Sequence, residues 1–112
     1  MTAIEIFKKF DGLEIFEKRF LSEDFGEVVM FSKDLDKWCR ILSELMGPPT
    51  KPPGQKTKEE HLKLSMKYGG VNDNQTLYMK ELEDHYLIAL LWPWNNSTYT
   101  TLKFAIRKKR PA

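Results

Sequence analysis

The sequence predicts an α+β fold: one antiparallel sheet of four to five strands, ending in a C-terminal meander, packed on one face by one or two N-terminal helices. Three observations carry this. Apolar residues recur at helical spacing from Leu35 to Met46, the second half contains four strand-like segments, and Gly, Asn, Asp and Pro clusters separate them. With 112 residues, 41% apolar and 30% charged, the chain suits a single domain over residues 1–112 with one core.

Taken in order, Ala3, Ile6, Phe7, Phe10 and Leu13 lie three and four apart and predict a short helix, interrupted at Asp11-Gly12. Residues 13–21, LEIFEKRFL, favour a second helix: Leu13, Phe16 and Phe20 share a face behind an Asp11-x-x-Glu14 capping box. A strand is the alternative, because Ile15 and Leu21 lie off that face. EVVMFS is β-branched and aromatic and reads as a buried strand.

Ser32 is then placed to cap a helix carrying Leu35, Trp38, Cys39, Leu42, Leu45 and Met46 on one stripe, with Asp34 and Asp36 at its positive end. Gly47 and Pro48 end it. A Pro-rich loop follows over 47–58, where four of the six prolines make an extended connection; Pro49 and Pro52 match PxxP, although a loop crossing the sheet edge is the simpler reading.

HLKLSMKYGG alternates, with Leu62, Leu64, Met66 and Tyr68 against Lys63, Ser65 and Lys67, and predicts a half-buried strand. TLYMKEL, YLIALLWPW and TYTTLKFAIRK predict three more. Pro93 belongs at a strand end, so WPWNNST reads as a hairpin corner, and regular pleating puts Trp92 and Trp94 on one face.

The lone Cys39 excludes an internal disulfide, and no stretch has the apolar length of a signal peptide or membrane span; a cytoplasmic protein without membrane contact is expected. In that setting the Asn74, Asn95 and Asn96 sequons carry no glycan. Charge is uneven: residues 1–50 hold 7 Lys and Arg against 10 Asp and Glu, and residues 51–112 hold 11 against 6. The basic excess gathers in a C-terminal tail, 107–112.

Two surfaces follow as candidates. Trp92, Trp94 and Tyr99, with His85, form a candidate ligand-binding set because flat rings offer large contact area at low entropic cost. Packing and an oligomer contact are the competing roles for the tryptophans. Lys103, Arg107, Lys108, Lys109 and Arg110 form a candidate nucleic-acid-binding set, since clustered cations beside aromatics suit single strands. His61, His85 and Cys39 supply too few ligands for a metal centre, and no catalytic motif, phosphate loop or cofactor signature occurs.

The segment VVMFSKDLDKWCRILSELMGPP, with the strands after it, resembles one βαβββ module of the glyoxalase and bleomycin-resistance superfamily over roughly residues 27–94. The resemblance implies dimerisation, because that superfamily pairs two modules around a cavity. It transfers no metal ligand, since Val28 to Phe31 lacks the His and Glu that its catalytic members use. The leading functional expectation is a non-enzymatic binding or interaction module acting as a homodimer, because the apolar run Tyr86 to Trp94 exceeds what one helical layer covers. Nucleic-acid binding is the second reading. A small-molecule or metal-dependent enzyme of the single-module type, using Trp92, Trp94 and His61 or His85, is the third.

Overall fold

A computed structural model describes residues 1–109, except for the side chain of Leu64. Arg110 and the rest of the basic tail lie outside the described residues. The elements are α1 (Ala3–Lys8), β1 (Ile15–Leu21), β2 (Phe25–Phe31), α2 (Leu35–Met46), α3 (Glu59–Ser65), β3 (Thr76–Glu81), β4 (His85–Pro93) and β5 (Tyr99–Lys108). The strands form one five-stranded antiparallel sheet in the order β1-β2-β5-β4-β3. The class is therefore the α+β one expected, but the meander is limited to β3, β4 and β5. After β2 the chain crosses to the far edge and returns, so that β5 pairs with β2 from Phe25 opposite Ala105 to Phe31 opposite Tyr99.

Strand alternation sends apolar residues to both faces. On one face Val28, Met30, Leu87, Ala89, Leu91, Leu102 and Phe104 meet Ala3, Ile6 and Phe10 from the first segment and Trp38, Leu42 and Met46 of α2. Phe10 stacks on Trp38 with ring centroids 4.5 Å apart. Each fully buried Leu or Phe here contributes about 1.5–3 kcal/mol. Gly26 is required by this packing: a Cβ there would stand 2.2 Å from Cζ of Phe104.

The other face carries Leu77, Ile88, Leu90 and Ala105, covered by Tyr68 and Val71. This corrects the expected strand at residues 61–68, which is α3 followed by a 3-10 turn, Met66–Tyr68. His61, Ser65 and Tyr68, at helical spacing, face inward, while Leu62 and Met66 are exposed. The Ser65 hydroxyl donates to the His61 carbonyl at 2.7 Å, and Glu59 and Glu60 sit in the first turn, where the helix dipole favours them. Polar residues inside and apolar residues outside inverted the pattern from which a helix is read. The same segment covers Ile88 and Leu90 of β4, so the centre of the apolar run, Leu87 to Leu91, is enclosed within the chain, while Tyr86, Trp92 and Trp94 at its ends are half-buried.

Residues 15–21 are also a strand and not the favoured helix. β1 pairs with β2 through two register shifts, between Ile15 and Glu17 and between Lys18 and Phe20. Those bulges break the period of two and leave apolar residues three and four apart, a spacing that mimics a helix. Ile15 and Leu21 pack on the α1 and α2 side. The capping box lies at Thr2 and Glu5, not at Asp11 and Glu14, with Glu5 N–H donating to Thr2 Oγ1 at 3.1 Å. Nor does Ser32 cap α2: its hydroxyl joins Thr100 Oγ1 at 2.8 Å, and a 3-10 turn, Ser32–Asp34, leads into the helix. Gly47, with φ of 81°, ends α2 as expected.

The element order of the superfamily resemblance is present as β2, α2, β3 and β4, but α3 interrupts it and the last strand, β5, lies beyond residue 94. The Pro-rich loop is fastened by Lys51, whose backbone pairs with Leu77 at 3.1 and 3.0 Å. Its fully buried ammonium donates to the carbonyls of Pro52, Asp73 and Gln75 at 3.2, 2.8 and 2.6 Å. Replacing it by Met leaves three carbonyls without that donor, and Lys51→Met should cost about 1–3 kcal/mol in urea unfolding. A loss under about 0.5 kcal/mol would show that water replaces the ammonium without penalty.

Tyr78 is buried between the sheet and α2, beside Cys39 and Ser43. Burial first, then the Cys39 contact, pushes its hydroxyl up to about 12 from 10.0. The folded state thus holds this proton longer than the unfolded chain, so the stabilisation is complete below pH 10.0 and lost as pH rises through about 12. Between pH 9 and 11.5 the wild type should lose more unfolding free energy than Tyr78→Phe, as chemical denaturation at about those two values measures. Equal losses would dismiss the buried hydroxyl as their source.

Candidate functional site

β5 points Tyr99, Thr101, Lys103, Ala105 and Arg107 to the α3 side of the sheet, and β4 points Tyr86, Ile88, Leu90 and Trp92 there. α3 and the turns after it cover the β3 and β4 part of that face and, through Tyr68 on Phe25 and Ala105, one end of β5 and β2. The part made by β1, β2 and the start of β5 is where the candidate residues gather.

The hairpin corner forms as read: Trp94 N–H donates to Tyr99 O at 2.9 Å, and Ser97 takes the left-handed φ of 61° that the turn needs. Trp92 and Trp94 do share a face. Trp92 lies at the boundary of the covered region, where Nζ of Lys103 stands 3.7 Å from its ring centroid and donates to Tyr68 O at 3.0 Å. Burial lowers the pKa of this ammonium; Glu27 opposes the shift and Arg19 adds to it. The indole N–H of Trp92 is buried without a hydrogen-bond partner.

Trp94 is half-buried. Its Nε1 donates to Thr101 Oγ1 at 2.8 Å, its ring meets Tyr99 edge-on at 5.1 Å, and the Arg19 guanidinium lies 5.5 Å from it. Tyr99 in turn stacks on Phe16 at 4.2 Å, and Phe31 closes the cluster 5.7 Å from Tyr99. Beside these rings runs a row of charges across three strands. Arg19 Nε donates to Glu17 at 2.6 Å and Nη1 to Glu27 at 3.4 Å, and Glu27 faces Lys103 in the β2 to β5 register. Phe16 is 47% exposed and Phe20 53%.

The four residues expected to form a ligand site do not come together. Trp94 and Tyr99 meet, and Trp92 shares their face at the margin of the covered region, but His85 begins β4, seven residues or about 23 Å of strand from Trp92. His85 bonds Asp84 through Nδ1, and that bond depresses the Asp84 pKa. The basic candidates divide as well: Lys103 joins the tryptophans, whereas Arg107, Lys108 and Lys109 gather at the far end of β5, where Lys109 pairs with Glu81 at 3.1 Å. Across from them stand Lys63 of α3 and Lys67, unforeseen because their segment was expected to be a strand. Phe16, Phe31 and Arg19 were missed because residues 13–21 favoured a helix. His61 is buried in α3, and among the described residues no three His, Cys, Asp or Glu side chains are grouped to hold a metal ion.

Comparison with protein-family models, curated proteins and solved structures gave no match. Among the described residues no helix is long and apolar enough to cross a membrane.

Gly69 presses against Trp92 with φ of +105°, and a Cβ there would meet Cη2 of the indole at 2.5 Å. Gly69→Ala should cost about 1–3 kcal/mol and shift the Trp92 indole N–H resonance, because strain and overlap act together. Unchanged stability and an unmoved resonance would mean that the turn is not seated on Trp92.

Proposed function

We propose that the chain is a non-enzymatic interaction module that forms a homodimer through the open end of its sheet. The observation that carries this is the cluster of Phe16, Phe31, Trp94 and Tyr99, with Phe16 47% exposed on an edge strand and, among the described residues, no helix packed over it. Leaving such rings in water forgoes the burial that drives association.

A second copy is the favoured partner because the adjoining charges alternate. Glu17, Arg19, Glu27 and Lys103 sum to zero and offer no field to a strongly charged partner, whereas a two-fold rotation sets positive positions against negative ones. Sheets packed face to face at about 10 Å would interleave the two aromatic clusters. The reading fits a reducing cytoplasm, as the partly buried Cys39 is a free thiol whose pKa burial raises.

Sedimentation over about 10 μM to 1 mM should show a monomer–dimer equilibrium, weakened tenfold or more, about 1.4 kcal/mol, by Phe16→Ser and by Arg19→Glu. A strictly monomeric mass up to the highest concentration overturns the proposal.

A further inference from the structure

The geometry points to a second binding site: a basic groove that takes a single-stranded nucleic acid, built where α3 and the 3-10 turn after it face the end of β5. It is distinct from the aromatic cluster proposed as the dimer face. The groove has a volume of about 890 Å3, and Lys63 and Lys67 on one wall stand across from Arg107, Lys108 and Lys109 on the other. Among the described residues the lining holds one acidic side chain, Asp24. At the rim, Glu59 stands 3.9 Å from Lys63, and Glu81 stands 3.1 Å from Lys109. The carboxylates of both pairs are exposed, although Lys109 itself is half-buried against Tyr86, and ion pairs with an exposed partner contribute little and yield to a phosphate.

Charge alone would suit any polyanion. Selectivity comes from what adjoins the groove. A cleft of about 440 Å3 opens beside it, sharing Asp24, Lys67 and Ile106, and is lined by Phe25, Tyr68, Gly69 and Lys103. Three rings lead into it in a row: Phe20 lies 5.9 Å from Phe25, and Phe25 is stacked on Tyr68 at 5.8 Å with planes 5° apart. The outermost ring, Phe20, is 53% exposed. Cations spaced along a groove, next to an accessible flat ring and a cleft of small-ligand size, match a chain that alternates phosphates with unpaired bases. A duplex keeps its base faces stacked within itself, and a membrane surface does not enter a concavity, so neither uses both features.

The test is fluorescence anisotropy of a labelled 12-nucleotide oligothymidine. Binding should weaken with salt at a slope near −3 on logarithmic axes, as about four neutralised phosphates on a single strand require. Lys63→Glu and Lys67→Glu, both at exposed positions, should each lower affinity tenfold or more and flatten that slope. Phe20→Ala should lower affinity fivefold or more and leave the slope unchanged, because a stacking ring is lost and no charge. Lys33→Glu, an equal charge change at the other end of the sheet, should have no such effect, and Phe16→Ser should retain binding even where it abolishes dimers.

No binding at low salt, tighter binding of the matching duplex, or equal affinity for polyglutamate each overturns the assignment. So does a Lys33→Glu loss as large as that of Lys67→Glu, which would reduce the effect to net charge.

Discussion

A sheet with apolar residues on both faces must be covered on both, and the way this chain meets that demand governs its surfaces. β4 and β5 sit inside the sheet and contribute Leu87, Ala89, Leu91, Leu102 and Phe104 to one side and Ile88, Leu90 and Ala105 to the other. Two helices and the residues around them cover the first side. Among the described residues the second side is covered by the short run from His61 to Val71, which reaches across β3 and β4 to Ala105 and Phe25 at one end of β5 and β2 and meets Trp92 at its margin. Beyond that margin Val29 and Thr101 are buried, and Phe16, Phe31, Trp94 and Tyr99 form the surface of that face.

The covering segment also defines the groove. Because residues 59–65 are helical, Lys63 and Lys67 come to lie opposite the basic end of β5; in the strand first expected, they would have belonged to another row of the sheet. Its inner end is held by Tyr68, whose carbonyl accepts from Lys103, and by Gly69 against the Trp92 ring. Trp92 is thus a seam residue, engaged with its own chain, while Trp94 and Tyr99 two and seven positions later belong to the open surface. One hairpin serves two different ends.

How much of this was legible in the sequence depended on whether side-chain chemistry and burial agreed. From Leu35 to Met46 they agree, and the helix, its stripe and its Gly47 stop were all readable. The three C-terminal strands and the turn at Trp94 to Tyr99 were readable for the same reason. At residues 59–68 they disagree: His61 and Ser65 are inside and Leu62 and Met66 outside, so periodicity pointed to a strand. At residues 15–21 two bulges gave a strand the apolar spacing of a helix. Both candidate surfaces inherit these errors, for Phe16, Arg19, Lys63 and Lys67 lie in the misread segments. The grouping of Trp92, Trp94 and Tyr99 came through because a tight hairpin fixes it locally; the separation of His85 did not, as it follows from strand length.

The two margins of the sheet bear on what kind of assembly is open to the molecule. At one, the register shifts in β1 twist the strand and place Glu17, Lys18 and Arg19 along it; at the other, Lys51 already occupies the hydrogen-bonding positions of Leu77. Neither border offers a long flat row of free amides onto which a further strand would add. Growth by extending the sheet from copy to copy, the route to filaments, is thereby disfavoured relative to contact through the faces. A face used by two copies about a two-fold axis is consumed when they meet, so such an assembly closes at two and goes no further.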